Sequence, residues 1–336
     1  MRISREAANM RVILPLPAHP INAPFLLIEP LGFAAKEGLR PSFDFVDSPV
    51  DALDSLNVGR HDVLAASAVF AFRCRDQGMP VKAFYSTCRA SYRSFAVLAK
   101  SSMMCLADLK GKRVGTDHHD LLGLAEPVLR EDGVDSNRDI SWVTGVLFDV
   151  VPKSDESEQI RSGSLDAIWV LACSFEMLRS AGIELRRLPS ALDGLSPGEC
   201  LYALESALEG TAHARLGAFG RCVAQAWNFS RVHPEEATRM VWEHWPECRP
   251  KADDEYALRR DAAGLLGRTE RGDLHYGRIP LWGSITAEEI ELWQDFLLRN
   301  GALSQERPAA DYFDGSLVQE FNRTPQERVD SSERSA

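Results

Sequence analysis

Ser55-Leu56-Asn57-Val58-Gly59-Arg60-His61-Asp62-Val63-Leu64 recurs in style 104 residues downstream as Gln159-Ile160-Arg161-Ser162-Gly163-Ser164-Leu165-Asp166-Ala167-Ile168. In both copies a helical stretch ends at glycine, two residues pass, and aspartate opens an apolar strand. Glycine suits the left-handed turn that stops a helix, and a short apolar run bounded by turn residues reads as a buried strand. Gly-x-x-Asp alone is easily met by chance. Its weight comes from falling at the same step of two β-α-β units about one domain apart. The reading is two similar lobes.

Working outward from the first copy, Arg11–Leu16, Ser42–Val46 and Asp62–Ala66 read as strands. Helices are expected over Phe25–Glu37, after the capping box Ser48-Pro49-Val50-Asp51, and over Val69–Gln77. Val81–Tyr85 and Ser94–Leu98 lead out of this unit. Around the second copy, Arg113–Gly115, Ile140–Val143, Asp166–Val170 and Leu185–Leu188 read as strands. Helices lie near Leu121–Arg130, near Ser157–Ser162, and from the fourth of these strands' predecessor to Ser180. Such alternation implies right-handed crossovers and mainly parallel sheets, an α/β fold. After Pro197 comes a strand-like Cys200–Leu204, then amphipathic helices over Ala212–Arg231, Pro234–Trp245, Asp254–Leu266 and Ala287–Asn300. The last has its own capping box, Thr286 to Glu289, and a stop at Gly301. Residues 323–336 are Ser/Glu/Arg-rich without apolar period and read as a disordered tail.

Bulk properties narrow the function. The chain has 336 residues, 45% hydrophobic and 26% charged, with net charge −11. That is the balance of a soluble globular protein, and its acidity disfavours nucleic acid and anionic lipid as partners. No apolar run approaches the roughly 20 residues needed to span a bilayer, so direct membrane insertion is not expected. The apolar run Val12–Leu16 is too short for a secretory signal and carries Pro15, with Pro17 after it. As written, the chain reads as cytoplasmic; it reads as periplasmic if the true start lies upstream or was removed. The seven cysteines include no Cys-x-x-Cys pair. An odd, scattered set fits reduced thiols, with no metal and no cofactor implied.

Several stretches together resemble a known family: Gly32-Phe33-Ala34-Ala35-Lys36-Glu37-Gly38-Leu39, Leu56 to Ser67, and above all Leu106-Ala107-Asp108-Leu109-Lys110-Gly111-Lys112-Arg113-Val114-Gly115. His233-Pro234-Glu235-Glu236-Ala237, Trp282-Gly283 to Leu303 and Tyr312-Phe313 extend the likeness over roughly residues 12–322. It is a resemblance to type II solute-binding proteins of the nitrate/taurine/sulfonate branch, which includes pyrimidine-binding and thiamine-pyrimidine synthase relatives. The resemblance implies a type II periplasmic-binding-protein fold with two Rossmann-like lobes and ligand between them. Crossover strands would lie near Phe95–Lys100 and Ser196–Leu204. Lobe 1 would comprise residues 10–98 plus 201–322, and lobe 2 residues 99–200. The implied role is substrate binding for an ABC-type uptake system, with a small-molecule ligand and a membrane permease as partners.

Open α/β sheets bind ligands beyond the carboxyl ends of their strands, where helix N-termini present N–H groups. Applied here, that rule selects Pro17–Pro24, Ser67–Ala68, Thr87–Tyr92, Thr116–Asp120 and Trp169–Cys173. His19 and Asn22 form a polar pair in a proline-stiffened loop, or are merely exposed. Ser67, with Ala68, can hold a carboxylate or sulfonate oxygen at a helix start, or act as a plain N-cap. Arg89 offers a guanidinium fork and Tyr92 a cleft wall; a surface arginine is the bland alternative. Asp117-His118-His119-Asp120 places titratable groups where relatives carry small residues. His118 and His119 could bind ligand, transfer protons or do neither, the flanking aspartates serving as helix caps. Trp169 either stacks on ligand or fills core, and Cys173 lacks an adjacent basic partner, favouring burial.

Two functions compete. One is binding of a small organic anion: a sulfonate, a carboxylate or a pyrimidine-like molecule. The other is a cytoplasmic carbon–carbon lyase on the same scaffold, since Gly133-Val134 and Ile140-Ser141-Trp142-Val143-Thr144-Gly145 resemble decarboxylases of hydroxylated phthalates. That alternative would use His118 or His119 as acid/base, Arg89 on a carboxylate and Ser67 in support. Aryl desulfinases of this scaffold place a cysteine in the first cleft loop, and Pro17–Pro24 has none. The cysteine cluster of thiamine-pyrimidine synthases is likewise missing from the sequence.

Overall fold

The computed structural model describes residues 7–14, 18–45, 49–89, 93–116, 123–144, 154–251, 255–276 and 281–323, with side chains of 49–51, 154–157 and 270–276 left aside. The chain opens with β1 (Ala8–Leu14), α1 (Ala23–Leu26), α2 (Phe33–Glu37), β2 (Leu39–Phe45), α3 (Pro49–Asn57), β3 (Val63–Ser67), α4 (Val69–Asp76) and β4 (Val81–Cys88). A second series follows: β5 (Arg93–Leu98), β6 (Lys112–Thr116), α5 (Ala125–Glu131), β7 (Ile140–Thr144), α6 (Ser154–Arg161), β8 (Ala167–Leu171), α7 (Ala172–Ser180) and β9 (Leu185–Arg187). Then come β10 (Glu199–Leu204), α8 (Glu205–Glu209), α9 (His213–Val232), α10 (Pro234–His244), α11 (Glu255–Tyr276), α12 (Ala287–Arg299) and α13 (Val318–Phe321).

Two five-stranded sheets result, ordered β2-β1-β3-β10-β4 and β7-β6-β8-β5-β9. They share one plan. In each, three parallel strands are followed by an antiparallel strand that the chain forms directly after crossing from the other sheet: β10 against β3 and β4, and β5 against β8 and β9. Strand β5 lies wholly in the second sheet. The first crossing therefore falls between Cys88 and Arg93, ahead of the 98/99 boundary expected from sequence, and the second between Arg187 and Glu199.

The sequence echo has a structural cause. Asp62 donates its N–H to Arg11 O at 2.8 Å and accepts Arg11 N–H on Oδ2 at 2.8 Å. Asp166 does the same for Arg113, at 2.9 and 2.9 Å. Each aspartate thus brackets the third strand of its unit to the first. Gly59 and Gly163 supply the left-handed turns before them, with φ of 69° and 75°. In the first unit His61 adds a link, lying between Ser55 of α3 and Asp44 of β2. Ser55 is buried, so this Ser–His–Asp chain fastens helix to sheet and offers no exposed nucleophile.

Two elements differ from the sequence reading. The helix expected over Phe25–Glu37 is two short helices, because Pro30 interrupts it and Gly32 turns left-handed at φ 72°. Helix α11 runs ten residues beyond the expected end at Leu266, to Tyr276. Among the described residues, no helix is long and apolar enough to cross a membrane. One apolar cluster joins both sheets: Ile13 and Leu64 of the first, Phe95 and Val114 of the second, and Trp293, Phe296 and Leu297 of α12 between them.

Candidate functional site: the cleft between the sheets

The carboxyl ends of β1, β3 and β4 and of β6 and β8 converge where the chain crosses between sheets. Tyr92, His118 and His119 lie outside the described residues, as do Pro17 and residues 90–92 and 117–120 of the selected loops. His19 follows β1 as the cap of a 3-10 turn at Pro20–Asn22, accepting the Ile21 N–H on Nδ1 at 3.3 Å. A neutral imidazole must then carry its proton on Nε2. That atom is buried without a hydrogen-bond partner, 3.8 Å from Asp261 Oδ1. Arg260 already holds the same oxygen at 2.7 Å. Burial first, and Arg260 second, push the His19 pKa down to about 3, so the ring is neutral at ordinary pH. Burial also raises the Asp261 carboxyl.

Arg268 of α11 organises this corner. Its Nη2 donates to both Glu199 oxygens, at 2.6 and 2.8 Å, and its Nη1 to Ile21 O at 3.3 Å and to Asn22 Oδ1. Thr87 Oγ1 donates to Glu199 at 2.8 Å. Both partners are buried, Arg268 and Glu199 each 6% exposed. One guanidinium therefore joins the turn after β1, the start of β10 and the end of β4. Neither residue is singled out by sequence reasoning. The available signal was spacing: buried Leu258, Ala262 and Leu265 continue at three- or four-residue steps to Arg268 and Thr269. A charged residue and two glycines, Gly264 and Gly267, interrupt the apolar pattern there.

Ser67 ends β3 opposite Glu199 of β10, with α4 starting at Val69. Tyr202 pins its backbone by donating to Ser67 O at 2.7 Å, and Ala68 N–H donates to Gly198 O at 3.1 Å. The Ser67 hydroxyl is buried and has no partner among the described residues. Arg89 is fully buried but engaged: Nη1 donates to Ser284 O and Nη2 to Glu289, the capping glutamate of α12. The carboxylate it holds is the protein's own. Trp169 sits in the second sheet with no exposure, its ring 4.4 Å from that of Phe95, and its indole N–H is unpartnered. Cys173 opens α7 in a small apolar cluster with Ile21, Leu171 and Met177. Burial raises its thiol pKa, which makes it a poor nucleophile.

The structure thus brings His19, Asn22 and Cys173 to one side of the cleft around Arg268, and Ser67 to the neighbouring strand end. Trp169 stands on the second sheet beside Thr116, and Arg89 is turned to α12. Buried polar atoms without a partner among the described residues gather at this junction: His19 Nε2, Ser67 Oγ, Arg89 Nε, Ser94 Oγ, Trp169 Nε1 and Ser196 Oγ. Buried donors without partners are costly and call for a ligand or water to complete them. Elsewhere, a hollow of 310 Å³ on the second lobe is lined by Glu126, Arg130, Asp135 and Arg138. Its charges are paired locally, so it lacks this signature. Among the described residues, no group of three or more His, Cys, Asp or Glu is placed to hold a metal ion.

Comparison with solved structures gives the fold a context. A protein of Bordetella bronchiseptica RB50 superposes with a TM-score of 0.66 at 19% identity, covering 94% of this chain and 98% of the other. The alkanesulfonate-binding protein SsuA from Xanthomonas axonopodis pv. citri, bound to MOPS, gives 0.60 at 15%, covering 93% and 100%. The periplasmic aliphatic sulphonate binding protein SsuA from Escherichia coli gives 0.60 at 15%, covering 97% and 98%. No curated protein sequence matches the chain. The shared architecture is the periplasmic-binding-protein fold, with two five-stranded sheets. The NMT1/THI5-like family model matches residues 20–237, and the chain belongs to that family.

Proposed function

We propose that this chain is a solute-binding protein that encloses a small organic anion between its two sheets, as the substrate-binding component of an ABC-type import system. The anion is a sulfonate or a carboxylate, with a pyrimidine-like molecule as the third member of the class. The observation that carries the reading is Ser67: a buried, unpartnered hydroxyl on a strand end fixed by Tyr202, directly before the amino end of α4. A helix start contributes partial positive charge and N–H donors, and the hydroxyl adds one more donor beside them. The likeness to sulfonate-binding proteins of import systems agrees with this chemistry. Delivery to a membrane permease follows from the reading.

The acid/base candidates of a lyase on the same scaffold, His118 and His119, lie outside the described residues, and the described candidates are poorly suited to that chemistry. His19 titrates too low to take a proton at neutral pH, Arg89 is occupied by Glu289, and the Cys173 thiol is raised.

A thermal-shift panel tests the proposal, with MOPS, benzenesulfonate, phthalate and a hydroxymethylpyrimidine as probes. Saturation at 100 times Kd stabilises a protein by about 2.7 kcal/mol, a readily measured rise in Tm. Ser67→Ala has an unusual signature. Deleting an unpartnered buried hydroxyl leaves the fold as stable or slightly more so, while the lost ligand hydrogen bond weakens binding about tenfold. A panel without any shift in the wild type, or a Ser67→Ala protein binding as tightly as wild type, refutes the reading.

A further inference from the structure

We propose that Glu199 sets the charge of the ligand: by neutralising Arg268 beside Ser67, it makes the cleft take singly charged anions and refuse doubly charged ones such as phosphate esters and dicarboxylates. This rests on the binding reading above and narrows its ligand class by charge.

The three groups share one corner of the first sheet. Glu199 of β10 is the antiparallel partner of Ser67 of β3. Facing residues lie on the same side of a sheet, with Cβ atoms about 4.5–5.5 Å apart. Further along the same two strands, Val63, Ala65, Leu201 and Ala203 join one apolar cluster with Phe25 and Trp227. Arg268 stands over those two rings, its guanidinium carbon 5.4 and 5.8 Å from their centres. The Ser67 hydroxyl, the Glu199 carboxylate and the Arg268 guanidinium therefore meet on one face, at the strand end. Ser67 and Glu199 are both buried, so mobile ions screen them little.

The balance of charge follows from the pairing. Both Glu199 oxygens accept from Arg268 Nη2, at 2.6 and 2.8 Å. The other buried arginine among the described residues, Arg89, gives Nη2 to Glu289. Its Nε has no partner among the described residues and remains a donor, but the charge behind it is balanced. A single negative charge can be held by dipoles, those of the Ser67 hydroxyl and the start of α4. A second charge finds no further compensation among the described residues. The Born cost of desolvating an ion grows as the square of its charge, about four times as much for a dianion as for a monoanion of equal size. At Ser67 the repulsion from Glu199 and the attraction of Arg268 offset each other while the pair is intact. Removing the carboxylate alone unmasks the arginine and admits the second charge.

Calorimetric titration of the full chain with two probes of one shape tests this. Phenyl sulfate is singly charged throughout, whereas phenyl phosphate takes its second charge at about pH 6. At pH 5 phenyl phosphate is mostly a monoanion and should bind about as well as phenyl sulfate. At pH 8 only about 1% of it is, so its affinity relative to phenyl sulfate should fall on the order of a hundredfold. Taking the ratio of the two affinities removes any titration of the protein itself. In Glu199→Gln the fall should shrink to about tenfold or less, a change in charge selectivity that a purely structural role of Glu199 does not produce. The wild-type comparison is decisive even where the variant does not fold. A wild-type ratio that moves less than about threefold, or a folded Glu199→Gln protein with the full fall, overturns the charge filter while phenyl sulfate binding upholds the anion-binding reading. Binding of neither probe at either pH refutes the anion-binding reading itself, and the filter with it.

Discussion

Replacing Arg268 by methionine keeps much of the side-chain volume and removes the charge that faces Glu199. Both side chains are nearly sealed, at 6% and 8% side-chain exposure, so solvent screens the pair little. After the substitution Glu199 retains only the Thr87 hydroxyl from its present partners. Removing one member of a buried ion pair costs about 3–5 kcal/mol, mostly as the penalty of the stranded charge. At about 2–4 °C per kcal/mol for domains of 150–250 residues, Tm should fall on the order of 10 °C. Glu199→Gln should cost a comparable amount by stranding the guanidinium. The double variant Arg268→Met/Glu199→Gln strands neither charge and should recover most of the loss, giving a coupling energy of about 2 kcal/mol or more. Urea unfolding followed by circular dichroism measures all three. Single variants within about 1 kcal/mol of wild type, or a double variant equal to the sum of the singles, refute the claim that this pair fastens α11 to the first lobe.

Three further outcomes follow from other groups. His19 titrates near 3 in the fold against about 6.5 when unfolded, so below 6.5 the unfolded chain binds the extra proton and stability falls as pH drops towards 3. Between pH 6.5 and 5 this one ring should remove up to about 2 kcal/mol, a slope that His19→Gln lacks in urea titrations at the two pH values; equal slopes refute it. A thiol reagent at pH 8 should label Cys105 quickly in the native protein, because it is exposed while five cysteines are buried, and Cys248 is half-buried with its pKa pushed up to about 12; two or more fast thiols contradict this. Glu199→Gln should gain more Tm from added sulfate than wild type does, because a small anion can replace the missing carboxylate beside Arg268; equal gains show that anions do not reach the pair.

The architecture was legible because its determinants are local. Gly59 and Gly163, with Asp62 and Asp166 three residues on, recur because each unit needs a left-handed helix stop and a carboxylate bracket to its first strand. Such features are written in consecutive residues, and the same holds for the α12 capping box of Thr286 and Glu289. The strand-end rule likewise picked out His19 and Asn22, which lie in the turn after β1, and Ser67, which ends β3, since carboxyl ends follow from strand order alone. What could not be read were partners distant in sequence. Arg89 looked free for a ligand carboxylate because Glu289 lies 200 residues away, and Glu199 and Arg268 drew no notice because each has meaning only beside the other.

That blind spot has a physical origin. Hydrophobic periodicity records which face of a helix is dry, and it treats a charged residue on that face as an error. Burial of a guanidinium becomes tolerable only when a carboxylate, a backbone carbonyl and a side-chain amide all meet it, and those come here from β10, from the turn after β1 and from Asn22. The consequence for the cleft is specific. Both buried arginines at the junction already carry a protein carboxylate, Glu289 on Arg89 and Glu199 on Arg268. Among the described residues, the unpartnered donors at the junction besides Arg89 Nε are neutral ones, the Ser67 hydroxyl beside the start of α4 among them. Recognition by such dipoles depends on fixed geometry more than on net charge, and the contacts that hold Ser67 in place, Tyr202 on its carbonyl and Gly198 on the next amide, are the ones that supply it.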